Sequence, residues 1–279
     1  MTDKLLDNTA LLLEGFSPVI LLDSVDSTND YLSQILSGKA GDLDSRWQEL
    51  SLVATTNQLA GHGRLRRKWV SPEAGALCLS VGIRPQLPIS PEQYHWFSLI
   101  LALAALDSWA QWGIQAQLKW PNDVLVAGKK VCGILGQVLP VPDGDYAAVV
   151  GIGMNLNMTQ GQLPVETATS ALIQTGRRVD PNQALVSICQ HFLDRYRRFM
   201  RLGADPSASS AQSSSLLQDI RQVLVTLGMQ VSIELPDGTV CYGRADDISA
   251  RGELLLTDQQ GRVRSFAVGD LVHLRPVKS

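Results

Sequence analysis

Residues 58–69, QLAGHGRLRRKW, contain the densest set of groups that could bind an anion. Gly61 and Gly63 allow backbone N–H groups to approach an anion closely. Basic side chains follow them and can add positive charge; they are Arg64, Arg66, Arg67 and Lys68. Taken alone, the segment predicts an anion-binding loop after a strand, with an exposed basic hairpin that binds no ligand as the alternative.

KWPND at residues 119–123 and KKVCGIL at residues 129–135 form a second candidate group. Lys119 falls at the end of a predicted strand, where its amine could reach a carboxylate or phosphate oxygen. There it would stabilise charge that develops during nucleotidyl transfer. The alternative interpretation of Lys119, taken singly, is an ordinary surface lysine.

Two shorter segments are weaker signals. GIGMN at residues 151–155 places Gly151 and Gly153 inside a strand, which indicates either a bulge or a place where a ligand approaches the backbone. DSTN at residues 26–29 places Ser27 and Thr28 at the start of a predicted helix. Their hydroxyls can cap that helix or hold a polar group of a ligand.

Strand-like runs alternate with helical patterns up to about residue 200, which indicates an α/β or α+β domain. The predicted strands cover residues 19–22, 52–56, 77–83, 116–120, 131–139 and 147–156. Helices are predicted from Ser27 to before Gly38, over the apolar run 96–112 with Pro91 at the first helical position after Ser90, and from Pro181 with Asp180 as its cap. The last helix carries Arg195, Arg197, Arg198 and Arg201, which predict a solvated face, with a docking surface as the alternative.

The composition changes near the C-terminus. Residues 204–215 are rich in serine and alanine and predict a loop or linker. From Met229 onward, short strands are separated by turns at residues 236–238, 251–252, 259–261 and 268–270, which suits a small β-barrel. We therefore predict a catalytic-type domain at residues 1–228 and a small β domain at residues 229–279.

Bulk properties limit the remaining classes of function. The net charge of −3 gives no general attraction to nucleic acid or to an anionic membrane. The four cysteines and four histidines show no metal-ligand spacing, so neither a zinc site nor a disulfide framework is expected. Because no targeting segment or membrane span is predicted, we expect a soluble cytoplasmic protein.

Considered together, the segments resemble biotin protein ligases. DSTN, the glycine–arginine loop ending in RKW, KWPND, KKVCGIL and GIGMNLN occur in that family's order and at compatible spacings. The resemblance implies an α+β fold with a mixed-sheet catalytic domain of the biotin/lipoate ligase, class II synthetase-like type. It also implies a C-terminal SH3-like β-barrel.

The resemblance further implies roles for individual residues. Biotin would be bound by Ser27, Thr28, Asn29, Gln58, Gly61, His62, Gly63, Arg64, Lys119, Gly151 and Gly153. ATP would be bound by Arg64, Arg66, Arg67, Lys68, Trp69, Asn122, Lys130 and Asn155. Lys119 and Arg64 would be the catalytic residues, and no residue is assigned as a metal ligand.

The implied reaction has two steps, with biotin and ATP as substrates and Mg²⁺ on the ATP. Biotin would first form biotinyl-adenylate and then pass to a lysine of an acceptor, with a biotin carboxyl carrier protein of acetyl-CoA carboxylase as the expected partner. The family loop commonly reads GRGRRGRKW, and this chain departs from it at His62, Leu65 and Arg66. It also has Gln137 where an acidic residue is common.

Three rival functions fit the sequence less well. Some members of the family carry an N-terminal DNA-binding domain, but the first predicted strand begins near residue 19, so we expect no DNA binding. A lipoate or octanoate ligase or transferase shares the fold, although KWPND and RKW favour biotin. Arg64 and Lys119 argue against a binding module without catalysis. Association through sheet edges would give a homodimer.

Overall fold

The computed structural model describes residues 6, 13–39, 47–64, 67–142, 145–235 and 239–267. Its strands are β1 Val19–Leu21, β2 Leu50–Thr55, β3 Ala76–Ile83, β4 Ala116–Lys119, β5 Asp123–Val126, β6 Lys129–Pro140, β7 Tyr146–Asn155, β8 Gln230–Glu234, β9 Val240–Ile248, β10 Leu254–Thr257 and β11 Val263–Phe266. Its α-helices are α1 Thr28–Leu36, α2 Trp96–Gln111, α3 Ala171–Thr175, α4 Pro181–Arg201 and α5 Leu216–Val223.

A seven-stranded mixed sheet forms the centre of the molecule, in the order β1-β2-β3-β7-β6-β5-β4. Strands β1 and β2 run parallel, and the other described neighbours run antiparallel. The predicted strands are therefore confirmed within one or two residues at their ends. Strand β5 was not predicted, because its four residues lie between the turns at residues 120–122 and 127–128.

Helix α1 lies on one face of this sheet. Ser27 caps it by accepting a hydrogen bond from the Asp30 N–H at 3.3 Å, as its sequence position predicts. Leu32 and Leu36 on its inner side pack against Val53 and Val149. This packing holds α1 against β2, β3 and β7.

Helices α2 and α4 cover the opposite face. Helix α2 is apolar on nearly every side because it lies between the sheet and α4, and its predicted burial is confirmed. Pro91 does not start α2, however; it begins a separate 3₁₀ turn, Pro91–Gln93, before α2 starts at Trp96. Helix α4 begins at Pro181 with Asp180 as its cap, as predicted.

The arginine-rich side of α4 is not simply a solvated face. Arg195 lies between Asp107 of α2 and Asp219 of α5, at 2.6 and 3.0 Å, and Arg198 lies 2.6 Å from Asp219. The prediction of solvation is wrong for Arg195 and Arg198, because their partners come from distant parts of the chain. These ion pairs join α2, α4 and α5.

A smaller antiparallel sheet, in the order β11-β10-β9-β8, forms the C-terminal unit. No closed barrel is present within the described residues, so the structure supports a small β unit but does not confirm the finer prediction. The serine-rich stretch 204–215 contains turns and no helix, as predicted for a loop. The turns predicted at residues 236–238 and 268–270 lie outside the described residues.

No described helix combines the length and apolar character needed to cross a membrane. Cys78, Cys132, Cys189 and Cys241 are buried free thiols, each on a different strand or helix.

Candidate functional site

A network of neutral polar groups connects the start of α1 with β3 and the segment after β2. Gln58 Oε1 accepts hydrogen bonds from the Thr28 N–H at 3.0 Å and from the Thr28 hydroxyl at 3.2 Å. Ser80 Oγ lies 2.7 Å from Thr28 Oγ1 and 2.6 Å from Asn29 Oδ1. Asn29 Nδ2 in turn donates to the Leu135 carbonyl at 2.9 Å. The network holds Thr28 and Gln58 beside one cavity.

Gly151 and Gly153 make room for protein side chains at this cavity. A Cβ atom at Gly151 would lie 2.1 Å from Asn29 Oδ1, and one at Gly153 would lie 2.3 to 2.5 Å from the indole of Trp69. Real side chains do not approach so closely. The two glycines therefore allow the amide of Asn29 and the ring of Trp69 to rest directly on β7.

The described residues of the basic loop, 61–64 and 67–69, pair with one another beside the cavity. The Gly63 N–H donates to the Arg67 carbonyl at 2.7 Å, and the Trp69 N–H donates to the Gly61 carbonyl at 2.9 Å. Arg67 and Lys68 are exposed. His62 Nε2 lies 3.6 Å from Asp30 Oδ1 of α1, so the residue that departs from the family pattern faces the first turn of this helix.

A second group of charges surrounds the KWPND turn, in which the Trp120–Pro121 peptide is cis. Lys119 and Asp123 are register partners on β4 and β5. Lys130 Nζ lies 2.5 Å from Asp123 Oδ1 and 5.6 Å from the centre of the Trp69 ring. Burial, as the largest influence, lowers the pKa of Lys119; Asp123 raises it and Lys130 lowers it.

These groups line a cavity of about 150 Å³. The predicted residues that line it are Ser27, Thr28, Asn29, Gln58, His62, Gly63, Arg64, Arg67, Lys68, Trp69, Asn122, Lys130, Gly151 and Gly153. The fold thus brings the four sequence segments to one place.

Other predicted residues lie beside the cavity without lining it. Gly61 contacts Gln58, and Lys119 reaches the site through its pairing with Asp123. Asn155 Nδ2 donates to the Thr169 carbonyl at 2.9 Å, while its Oδ1 is buried with no hydrogen-bond partner among the described residues. Arg66 lies outside the described residues.

Sequence reasoning missed several residues of the site. Ser80 carries the hydroxyl that joins Thr28 to Asn29, and Asp123 is the acidic residue in the cavity wall. Cys78 and Ile152 add apolar surface. Asp123 could have been found as the last residue of KWPND, whereas a serine inside an apolar strand gives no signal.

The described residues contain no group of three or more His, Cys, Asp or Glu side chains that could hold a metal ion. A protein cage for a cation is therefore not part of this site as described. The Asp123 carboxylate lines the cavity and is bound by Lys130.

Comparisons with known proteins agree with this arrangement. The biotin/lipoate A/B protein ligase family matches residues 21–155, and the biotin protein ligase C-terminal domain matches residues 226–274. The chain is 33% identical over 266 residues to the biotin–acetyl-CoA-carboxylase ligase of Mycobacterium tuberculosis, covering 94% of this chain and 91% of that protein. The chain belongs to the biotin protein ligase family.

Other members of the biotin protein ligase family give the same assignment. The bifunctional ligase/repressor BirA of Bacillus spizizenii is 31% identical over 247 residues, covering 87% of this chain and 70% of that protein. The structure of a biotin protein ligase from Aquifex aeolicus in complex with biotin and ATP superposes with a TM-score of 0.72 at 25% identity. The superposition covers 93% of this chain and 100% of the Aquifex aeolicus chain.

Proposed function

We propose that this chain activates biotin with ATP to biotinyl-adenylate and transfers the biotin to a lysine of an acceptor protein. The observation that carries the proposal is one cavity with two chemically different walls. One wall presents neutral hydrogen-bonding groups around Thr28 and Gln58, and the other presents cations, among them Arg64 and Lys130. Biotin adenylation needs both, since the ureido ring is neutral and polar while the carboxylate and phosphates are anionic.

The neutral wall favours biotin over lipoate or octanoate. The Ser27 hydroxyl and the Gln58 amide line the cavity and would gain no hydrogen bond from a ligand if an aliphatic chain lay against this wall. Sites built to hydrogen-bond a ligand reject analogues that lack the matching groups, often by a large factor. Ser27 adds a hydroxyl to this wall: its oxygen caps α1, so its hydrogen is left for a ligand acceptor.

In the first step, a biotin carboxylate oxygen attacks the α-phosphorus of ATP in its magnesium complex, and pyrophosphate leaves. Lys119 and Arg64 would stabilise the negative charge, and backbone N–H groups near His62 would bind the phosphates. Trp69 would pack on the adenine, and Asn155 would help to orient the phosphates. The short distance between Lys130 and Asp123 supports a role for this pair in placing the nucleotide.

In the second step, the amine of the acceptor lysine attacks the acyl carbon, loses a proton and releases AMP. The loop at residues 61–69 would shield the intermediate from water until the acceptor docks. We propose the biotin carboxyl carrier protein of acetyl-CoA carboxylase as acceptor, which the name of the Mycobacterium tuberculosis relative supports.

Further aspects of the organisation are also proposals. We propose a domain boundary at residues 228 and 229, which the match of residues 226–274 to a C-terminal domain supports. The same match, and the antiparallel order of β8 to β11, support an SH3-like barrel. Buried free thiols fit the reducing cytoplasm. The absence of DNA binding remains a prediction.

A homodimer also remains a prediction, and the edge of the large sheet supports it. Strand β5 pairs with β6 only as far as Gly133. Beyond that point, β6 has no strand partner on this side among the described residues. An edge of this kind can accept another strand.

The test is exchange of labelled pyrophosphate into ATP with Mg²⁺ and biotin, lipoate or octanoate in parallel. We expect exchange with biotin alone, followed by transfer to a purified carrier domain but not to the same domain with its target lysine replaced by arginine. Equal exchange with lipoate or octanoate would assign the chain to another activity of this fold. Biotin binding without any exchange would indicate a biotin-binding module without catalytic activity.

A matched pair of variants sharpens the test. Gln58→Leu removes the acceptor for Thr28 at the neutral wall, so it should weaken the preference for biotin over octanoate by about tenfold. Gln93→Leu removes a glutamine whose side chain bonds the Ala204 carbonyl, away from the cavity, and should leave the preference unchanged. If Gln58→Leu and Gln93→Leu show the same preference for biotin over octanoate, selection by the neutral wall is contradicted.

A further inference from the structure

Lys119 lies on the edge strand of the large sheet, and its backbone is held from outside that sheet. Strand β4 pairs with β5 on one side. On the other side, the Val225 N–H donates to the Leu118 carbonyl at 2.9 Å. The Trp120 N–H donates to the hydroxyl oxygen of Thr226 at 3.0 Å. The residues immediately before and after Lys119 are thus bound by two consecutive residues between α5 and β8.

Trp120 also joins this region to the C-terminal unit. Its indole N–H donates to the Gly252 carbonyl at 3.2 Å, in the turn between β9 and β10. The indole N–H of Trp96 donates to the neighbouring Ala250 carbonyl at 2.9 Å. Both indoles are fully buried, so the turn at residues 249–253 is fixed against the end of β4.

We propose that Thr226 is a positioning residue for Lys119: its hydroxyl fixes the backbone at Trp120 and so sets where the Lys119 amine stands relative to the reacting carboxylate and phosphate. The inference rests on the proposed function, because it assigns a purpose to the contact only if Lys119 acts in adenylation.

The geometry favours this role over general support of the fold. Thr226 is 2% exposed, and its hydroxyl oxygen is the acceptor of a backbone N–H that β5 does not bind. Without that acceptor, the Trp120 N–H would be buried and unsatisfied, and the strand end would shift toward another partner. A shift of about 1 Å at a catalytic group can lower a rate by about 100-fold.

Three variants of Thr226 test the inference by biotin-dependent pyrophosphate exchange. Thr226→Val keeps the volume and removes the acceptor, and it should lower kcat about tenfold with the KM for biotin changed less than about twofold. Thr226→Ser keeps the hydroxyl acceptor and should retain the wild-type kcat. Thr226→Cys has a weaker acceptor, so its kcat should lie between those of the valine and serine variants. If the valine variant does not fold, the cysteine and serine variants can still be compared.

Ser215→Ala is the matched control. It removes the hydroxyl that accepts the Gln218 N–H at the start of α5, near Thr226 in the chain but without a described contact to β4. We expect it to lower the thermal midpoint without changing kcat. If Ser215→Ala and Thr226→Val lower kcat equally, or if folded Thr226→Val and Thr226→Cys keep the wild-type kcat, the positioning role is overturned.

A double-mutant cycle separates positioning from damage elsewhere. In a Lys119→Ala background, measured as single-turnover adenylate formation, Thr226→Val should lower the rate less than about twofold, because its target is gone. A further tenfold loss would overturn the inference. Measurements on the wild-type protein in the same series distinguish the two failures. If the wild-type protein catalyses exchange and Thr226→Val catalyses it equally well, only the positioning role is rejected. If the wild-type protein shows no exchange, the proposed function is rejected.

Discussion

The neutral wall and the cationic wall of the cavity are built in different ways. Thr28, Asn29 and Ser80 are each at least nine-tenths buried and bind one another through short hydrogen bonds. Arg67 and Lys68 of the cationic loop are exposed, and the loop is held mainly by its own backbone. The neutral wall is thus complete before a ligand arrives, while Arg67 and Lys68 of the cationic loop stay exposed to water.

This difference suggests a division of labour. A preorganised neutral wall selects a ligand, because its groups do not move on binding. Exposed cations such as Arg67 and Lys68 can contact phosphates, and such contacts contribute most when charge develops. Changes in the neutral wall should therefore alter the KM for biotin, and changes among the cations should alter kcat or the retention of the intermediate.

The largest effect is expected for Lys119→Ala. Removing the cation should lower the kcat of pyrophosphate exchange by roughly 100-fold or more. Stability should not fall through loss of the charge. Burial lowers the pKa of Lys119, so the folded state holds the protonated amine less well than the unfolded chain, and this penalty applies in full below the folded-state pKa.

The checks are exchange kinetics and thermal unfolding, with Lys129→Ala as control because Lys129 is exposed on β6. A normal rate of exchange in Lys119→Ala would contradict the catalytic role proposed for Lys119.

Gly153→Ala should have the next largest effect. The added methyl group would lie 2.3 Å from the Trp69 ring, so the indole must move off β7. Overpacking of this kind costs about 1 to 3 kcal/mol, and we expect the Kd for biotin, measured by calorimetry, to rise about 10-fold to 100-fold. Gly161→Ala has no atom within 4 Å of the added group and should bind biotin normally. Unchanged binding in both variants would mean that the position of Trp69 does not matter.

Arg64→Gly should act on the intermediate. Loss of a guanidinium that lines the cavity should speed release of biotinyl-adenylate by about tenfold, because charge-assisted contacts to the phosphate are lost. The leaked adenylate would label lysines of a bystander protein. Arg178→Gly, an exposed arginine before α4, is the control. If labelling stays confined to the carrier domain, Arg64 is not needed to retain the intermediate.

Ser80→Ala should give the smallest of these effects. It removes the donor that joins Thr28 and Asn29, at a cost of about 1 kcal/mol, or roughly a fivefold rise in the KM for biotin with kcat unchanged. Ser51→Ala, a buried serine on β2, is the control. A fall in kcat with an unchanged KM would reverse the roles assigned to the two walls.

Much of the framework could be predicted from local sequence. Apolar runs gave most strands of the large sheet, and Asp180 with Pro181 gave the start of α4. Strand β5 was missed because four residues between two turns carry too little periodic pattern. The C-terminal strands were expected, but whether they close into a barrel depends on pairing between distant residues, which turn spacing does not specify.

The residues of the site also differ in how well the sequence predicts them. The family resemblance of their segments assigned Arg64 and Gln58 to the site, and both line the cavity. Ser80 was not assigned to it, because a serine on an apolar strand is recognisable only by what faces it across the fold. Lys119 was assigned as if it lined the cavity, whereas it stands beside it through β4 and Asp123. Spacing in the chain does not encode the direction of a side chain at a strand end.

The buried thiols have a practical consequence for chemical labelling. Burial raises the pKa of Cys78 to about 11 and that of Cys132 to about 12, so little thiolate is present at neutral pH. Cys78 lines the cavity, whereas the thiol of Cys132 on β6 is buried in the core and accepts a hydrogen bond from the indole N–H of Trp109 on α2. Alkylation of Cys78 thus requires the cavity to open, whereas alkylation of Cys132 requires the core to open. The ratio of the two alkylation rates therefore compares local opening of the cavity with global unfolding in the same unmodified chain.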